Sequence, residues 1–234
     1  MRAQVVHRVH GMISSRDVVP RSGEAPAHAT MSAPLPRPRC DRCALPLRTC
    51  VCALVTRVRN DVDVLVLQHP DEAREAKGSA RLLRLSLARC RVAVGAVFDP
   101  AELLRLLDGD VSGSALLYPS DTQGGSDAPN SRALAARPAR LVVLDATWRK
   151  SARMLRANAL LQSLQRWTVE PGAPARYRGL RKARKPSQLS TLEATCAALA
   201  DIEGAPARYA ALLGAFDRFV ADGVARAGRT SAPE

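Results

Sequence analysis

L-V-V-L-D-A-T-W-R-K, Leu141 to Lys150, decides how the rest of the chain is read. Four aliphatic residues in a row suit a strand buried on both faces, as in parallel sheets covered by helices. Asp145 ends the run. Ala146 and Thr147 are small, Thr147 stands where a helix cap is expected, and a helical pattern runs on into the Asn158 region. In open parallel sheets, ligands gather at the carboxyl ends of strands, so Asp145 is a site candidate. Trp148 is one of two tryptophans in a chain that is 3% aromatic. A place in the core and a place in a site are both open to it.

Outward from this stretch, the same alternation recurs. V-D-V-L-V-L-Q (Val62 to Gln68) alternates and then saturates with aliphatic residues, as a buried strand does. Ser79 can cap a helix over Ala80 to Ala88, and Arg91 to Phe98 is the next strand. Pro100, at a first-turn position, opens a helix ending near Gly109. Ser114 to Pro119 is a third strand, and Ser120 to Pro138 a polar loop. After the Leu141 strand and its helix comes a short strand at Trp167 to Val169, then helices at Ser190 to Ile202 and Pro206 to Val224. Strands alternating with helices define an α/β class with a mostly parallel sheet and flanking helices.

Composition narrows the function classes. A chain of 234 residues suits one domain with appendages. No apolar run reaches the 18 residues of a membrane span, and the first residues lack a secretory apolar region, so a cytoplasmic protein without a membrane partner is expected. The net charge of +13 suggests a polyanionic partner. It is discounted because only four of the 35 basic residues are lysines, a sign of coding bias. Residues 1–38 are rich in Pro, Ala, Arg and Ser, without periodicity, and read as a disordered extension with no assigned function; 227–234 reads as a flexible tail.

C-D-R-C-A-L-P-L-R-T-C-V-C places Cys40, Cys43, Cys50 and Cys52 within thirteen residues, inside a small segment at 39–60. Without an export signal these thiols are expected reduced, and four of them suit tetrahedral structural zinc, with no position left for substrate. Four unligated thiols and an iron–sulfur cluster are the alternatives. Cys90 and Cys196 stand alone in apolar surroundings and read as small buried residues.

Other stretches carry weaker signals. His69, extended before Pro70, ends the Val62 strand, with Arg74, Lys77, Gly78, Ser79 and Arg81 close behind. A lone histidine is most often structural, but Gly78-Ser79 ahead of a helix offers N–H groups to an anion. Tyr118-Pro119 ends a strand, which suits packing or a platform for a cofactor base. S-T-L-E-A, with Ser190, Thr191 and Glu193, is a capping box sufficient to start a helix; its N–H groups could instead receive a carboxylate or ribose. R-Y-R-G-L-R-K-A-R-K sets Arg176, Arg178, Arg181 and Lys182 around Tyr177 without an acid, a solvated loop or an RNA surface, with RNA favoured. No G-x-G-x-x-G, phosphate-loop or G-x-S-x-G motif is present, so nicotinamide, phosphate-cradle and serine-hydrolase folds lose support.

The ordered set (the cysteine cluster, then L-Q-H-P-x-E, L-Y-P, D-A-T-W and S-T-L-E-A) resembles the DTW-domain family over about Arg39 to Val224. The signature D-x-T-W falls on Asp145, Thr147 and Trp148. The resemblance implies a catalytic domain at 61–226 with a SPOUT-like fold and a C-terminal trefoil knot. It implies an enzyme that moves the 3-amino-3-carboxypropyl group of S-adenosylmethionine to N3 of a tRNA uridine, releasing methylthioadenosine. Asp145 would then accept the N3 proton and orient uridine, or pair with the ammonium of the transferred group. Trp148 would pack on the sulfonium or stack on the uracil. Tyr118, Pro119, Ser190, Thr191 and Glu193 would line the cofactor pocket. Arg149, Lys150 and the 176–185 loop, with His69, Arg74 and Lys77, would face tRNA. A related enzyme acting on ribosomal RNA, a methyltransferase, and a non-enzymatic zinc-bearing RNA-binding protein are the rivals.

Overall fold

A computed structural model of the chain describes residues 38–75, 77–119, 137–169 and 189–230. The expectations for 1–37, for the 120–136 loop, for the basic 176–185 stretch and for the last four residues lie outside them.

The architecture is a five-stranded parallel sheet in the order β2-β1-β4-β3-β5. Its strands are β1 (Asp63–Gln68), β2 (Cys90–Val94), β3 (Ser114–Leu117), β4 (Arg140–Asp145) and β5 (Gln165–Trp167). The helices are α1 (Pro70–Arg74), α2 (Ala80–Ser86), α3 (Pro100–Leu106), α4 (Trp148–Ala157), α5 (Ala159–Ser163), α6 (Thr191–Glu203) and α7 (Ala210–Thr230). Every residue of β4 is buried, as the aliphatic run requires of a central strand.

Two cores follow from the period-2 alternation of β1 and β4. Val64, Val66, Leu141 and Val143 face α2, α6 and α7 through Leu82, Leu83, Leu199 and Phe216. Leu65, Leu67, Val142 and Leu144 face α3, α4 and α5 through Leu103, Met154, Leu155 and Leu161. Helix α2, in the crossover after β1, thus lies on one face of the sheet, and α4 and α5, after β4, on the other. Adjacent parallel strands whose crossovers leave in opposite directions open a crevice at their carboxyl ends, where ligands bind in such sheets. Here that point is Gln68 beside Asp145, which are paired in register.

Several boundaries differ from the expected ones, each for a local reason. β2 stops at Val94 instead of Phe98 because the chain bends at Gly95, where a Cβ would come within 2.9 Å of the Phe98 ring. Phe98 turns back into the second core. The helix after β4 does end at Asn158, as expected, and the short helix α5 that follows it is the addition. The buried Asn158 amide donates to Met154 O (2.6 Å) and Ala96 O (3.1 Å) and accepts from Phe98 N (2.8 Å), so the side chain takes up bonds of the interrupted backbone. The last strand lies at Gln165–Trp167, two residues earlier than expected. Short helix α1 was not foreseen. Ser79 stands at the cap position of α2 but its side chain makes no cap bond; Ser79 Oγ instead accepts from Leu192 N at 3.4 Å. Cys196 is buried, whereas Cys90 is only half-buried, since β2 is an edge strand.

Candidate functional site

The site is assembled where β1, β4 and α6 meet. Asp145, 6% exposed at the end of β4, accepts from Gln68 Nε2 at 2.7 Å on Oδ2 and from Thr191 Oγ1 at 2.6 Å on Oδ1. Its carbonyl accepts from His69 N at 3.0 Å. Two chain segments far from it in sequence, at Gln68–His69 and at Thr191, are therefore tied to one residue. Gln68 and Thr191 each hold one oxygen of the carboxylate, which fixes its orientation at the crevice.

Thr191 reaches Asp145 because α6 begins there, and α6 begins there because of its capping box. Ser190 Oγ accepts from Glu193 N (3.2 Å) and Glu193 Oε2 accepts from Ser190 N (2.9 Å). With Leu192 N given to Ser79, the N–H groups of Ser190, Leu192 and Glu193 all have acceptors within the fold. The Ser190 and Glu193 side chains are buried cap partners, and of this stretch the Thr191 hydroxyl is the group turned to Asp145. Gly78 N likewise donates to Glu75 O (3.2 Å), so the Gly78-Ser79 turn spends this donor internally.

Beside the carboxylate stands an aromatic wall. Trp148 is 50% exposed, so the core explanation of this tryptophan gives way. It meets the Tyr118 ring edge-on, with centroids 6.1 Å apart, and the Arg166 guanidinium lies 5.5 Å over the Tyr118 ring. Trp167, by contrast, packs against the first core. Thr147 occupies the cap position of α4, yet its exposed side chain makes no cap bond. Pro119 is exposed behind Tyr118.

The basic candidates divide. Lys150 Nζ pairs with Asp71 at 2.8 Å, bracing α4 against α1 and holding the Asp71 carboxyl below its usual range. Arg149, Arg74 and Lys77 are exposed. His69 caps α1, Nδ1 accepting from Asp71 N at 3.2 Å. That bond places the proton of a neutral ring on Nε2. Arg176, Arg178, Arg181 and Lys182 lie outside the described residues.

Gln68 and Arg166 are the site residues that sequence reasoning missed. The signal for Gln68 is present, a polar residue closing an aliphatic strand, but its partner is set by strand register. Nothing in the sequence marks Arg166.

The four clustered cysteines have Sγ atoms within 4.8 Å of one another, with Cys40–Cys52 and Cys43–Cys50 each at 3.6 Å. Tetrahedral zinc with Zn–S bonds of about 2.3 Å needs S···S separations of about 3.8 Å, so the set could hold a metal ion. Among the described residues no helix is long and apolar enough to cross a membrane.

The parallel α/β sheet presents a buried acid and an exposed tryptophan at its reversal point, the position at which sheets of this class bind ligands, and the chain also carries a four-thiol knuckle. The DTW domain model matches residues 37–223, and the chain belongs to the DTW-domain family. It is similar to tRNA-uridine aminocarboxypropyltransferase 2 of Drosophila melanogaster, 29% identical over 179 residues, covering 73% of this chain and 68% of that protein. The proteins of the same name from Macaca fascicularis and Mus musculus are each 26% identical, covering 71% of this chain and 57% of their own length. The chain thus spans about two thirds of the fly protein and little more than half of the mammalian ones. No solved structure matches.

Proposed function

We propose that the protein is a cytoplasmic tRNA-uridine aminocarboxypropyltransferase that uses S-adenosylmethionine. The observation that carries this reading is the placement of D-x-T-W: a buried carboxylate and an exposed tryptophan at the reversal point of the sheet, in a chain whose relatives bear that name. The residues fit the donor in kind, with an acid for its ammonium or for the acceptor's proton and aromatic faces for a sulfonium or a base. When bound, S-adenosylmethionine supplies a propyl carbon activated by its sulfonium.

In this reading uridine N3 attacks that carbon, the carbon–sulfur bond breaks with its electrons left on sulfur, and methylthioadenosine departs. Asp145, fixed by Gln68 and Thr191, orients uridine and receives the N3 proton. Trp148 stacks on the flipped-out uracil, while Tyr118 and Pro119 border the adenosine. Thr191 serves through Asp145. Ser190 and Glu193 hold the turn that carries Thr191, and His69, Arg74, Lys77 and Arg149 face the RNA together with Arg176, Arg178, Arg181 and Lys182. The Cys40–Cys43–Cys50–Cys52 set binds structural zinc. A SPOUT-like knotted fold is supported by α6, whose first turn packs back onto the end of β4; an experimental chain trace from Val169 to Leu189 tests it.

Incubation with tRNA and S-adenosylmethionine, followed by mass spectrometry of the small product, is expected to yield methylthioadenosine. S-adenosylhomocysteine would establish methyl transfer instead, and RNA binding without turnover would leave a non-enzymatic protein. In Asp145→Asn, loss of kcat with little change in the KM for S-adenosylmethionine supports the proton-accepting role. The converse assigns Asp145 to the ammonium.

A further inference from the structure

The outward face of α4 carries three arginines that the site as described leaves unused or only partly used. We propose that Arg149, Arg153 and Arg156 form one stripe that tracks the phosphate backbone of the RNA whose base is presented to Trp148. This deepens the tRNA reading above and rests on it.

The geometry follows from helix periodicity. At 3.6 residues per turn, positions 149, 153 and 156 fall within an arc of about 60°, over about 10 Å of helix axis. All three are exposed, while Ser151, Met154, Leu155 and Asn158 are buried on the opposite face. The stripe begins next to Trp148 and leads away from the carboxyl end of β4.

Taken as a solvated face, the arrangement is energetically adverse. α4 contains no acid, so none of the favourable acid–base pairs at i,i+4 can form, and Arg149 with Arg153 is itself a like-charge i,i+4 pair, which destabilises a helix. Arg149 also lies in the first turn, at the positive end of the helix dipole, where a cation is disfavoured. Asp71, an acid that α4 does engage, is taken by Lys150. Among the described residues, none of the three arginines has a recorded ion pair. A bound polyanion removes each of these costs at once. An anionic membrane does not fit, because the apolar face of α4 is spent in the second core and has nothing to insert.

The test is binding of labelled tRNA across a salt series, which needs no turnover. R149Q/R153Q/R156Q is compared with wild type and with the charge-matched R59Q/R105Q/R218Q, altered at exposed positions elsewhere. Each lost phosphate contact lowers the log K against log salt slope by about 0.7–0.9, so the stripe variant is expected to lose about 2–3 from the slope and at least tenfold in affinity, with the control unchanged. A stripe variant that binds like the control overturns the stripe and leaves the enzymatic reading standing. A wild type that binds no tRNA overturns both. Thermal melts verify folding; if the triple variant is unfolded, each single Arg→Gln variant must still lower the slope by about 0.7–0.9, and single variants with the wild-type slope refute the proposal.

Discussion

At the scale of single residues, Asp145 shows how a site is made from ordinary parts. Its identity as a strand-end acid is legible in Leu141 to Lys150, because an aliphatic run that stops at a carboxylate before a helix has few other readings. Its partners are not legible. Gln68 lies 77 residues away and meets Asp145 only through the β1–β4 register, and Thr191 reaches it only through the placement of α6. Gln68→Ala removes the 2.7 Å donor from a buried carboxylate, a loss of about 1–3 kcal/mol. Urea unfolding is expected to register it together with reduced turnover. Unchanged stability and turnover would show that Asp145 does not depend on Gln68. Trp148 carries the complementary lesson: the sequence left a core place and a site place both open, and exposure on α4 is decided by which helix face the sheet covers.

Among the elements, α6 is the most tightly specified. Ser190 and Glu193 start it reciprocally, and Gly204, at φ 63°, ends it in the left-handed conformation that glycine adopts readily. Between them Cys196 is buried, and burial pushes its thiol up to about 12 from an ordinary 9.0. The folded state therefore favours the neutral thiol. The stability tied to this group is complete below about pH 9, where the unfolded chain also keeps the proton, and is lost as pH rises towards 12. Urea melts from pH 8 to 11 are expected to fall in wild type and to fall less steeply in Cys196→Ala, whose baseline is lower from the small cavity. Equal slopes would remove Cys196 from the alkaline limb. The start of α6 was readable because a capping box is local. The end of α4 near Asn158 was readable from the helical pattern, but its cause was not, because Asn158 ends the helix through bonds to Ala96 and Phe98, about 60 residues distant.

In the whole molecule, the cysteine knuckle is joined to the main core. Cys43, Leu45 and Val51 share one cluster with Leu82 and Leu83 of α2 and with Phe216, Phe219 and Val220 of α7. A second tie lies at Glu203, whose carboxylate accepts from Asp61 N, Val62 N, Arg208 and Tyr209, joining the approach to β1 to the end of α6. Metal at the four thiols would accordingly stabilise the packing of α7 as well as its own loop. Metal analysis is expected to give near one zinc per chain. Chelation should lower the melting temperature by roughly 10 °C, the effect of about 3 kcal/mol in a chain of this size. No bound metal, or a melt indifferent to chelation, would refute the structural site.

By itself the sequence determined the class of fold, the carboxyl-end position of Asp145, the start of α6 and the spacing of four thiols, all of which depend on neighbours within a few residues. Tertiary structure decided which strands lie side by side, that Gln68 and Thr191 converge on Asp145, that Lys150 serves Asp71, and that Trp148 faces outward. Those outcomes depend on strand order and on which face each crossover takes. Both are set by how two cores share one sheet, and no local pattern in the chain encodes that choice.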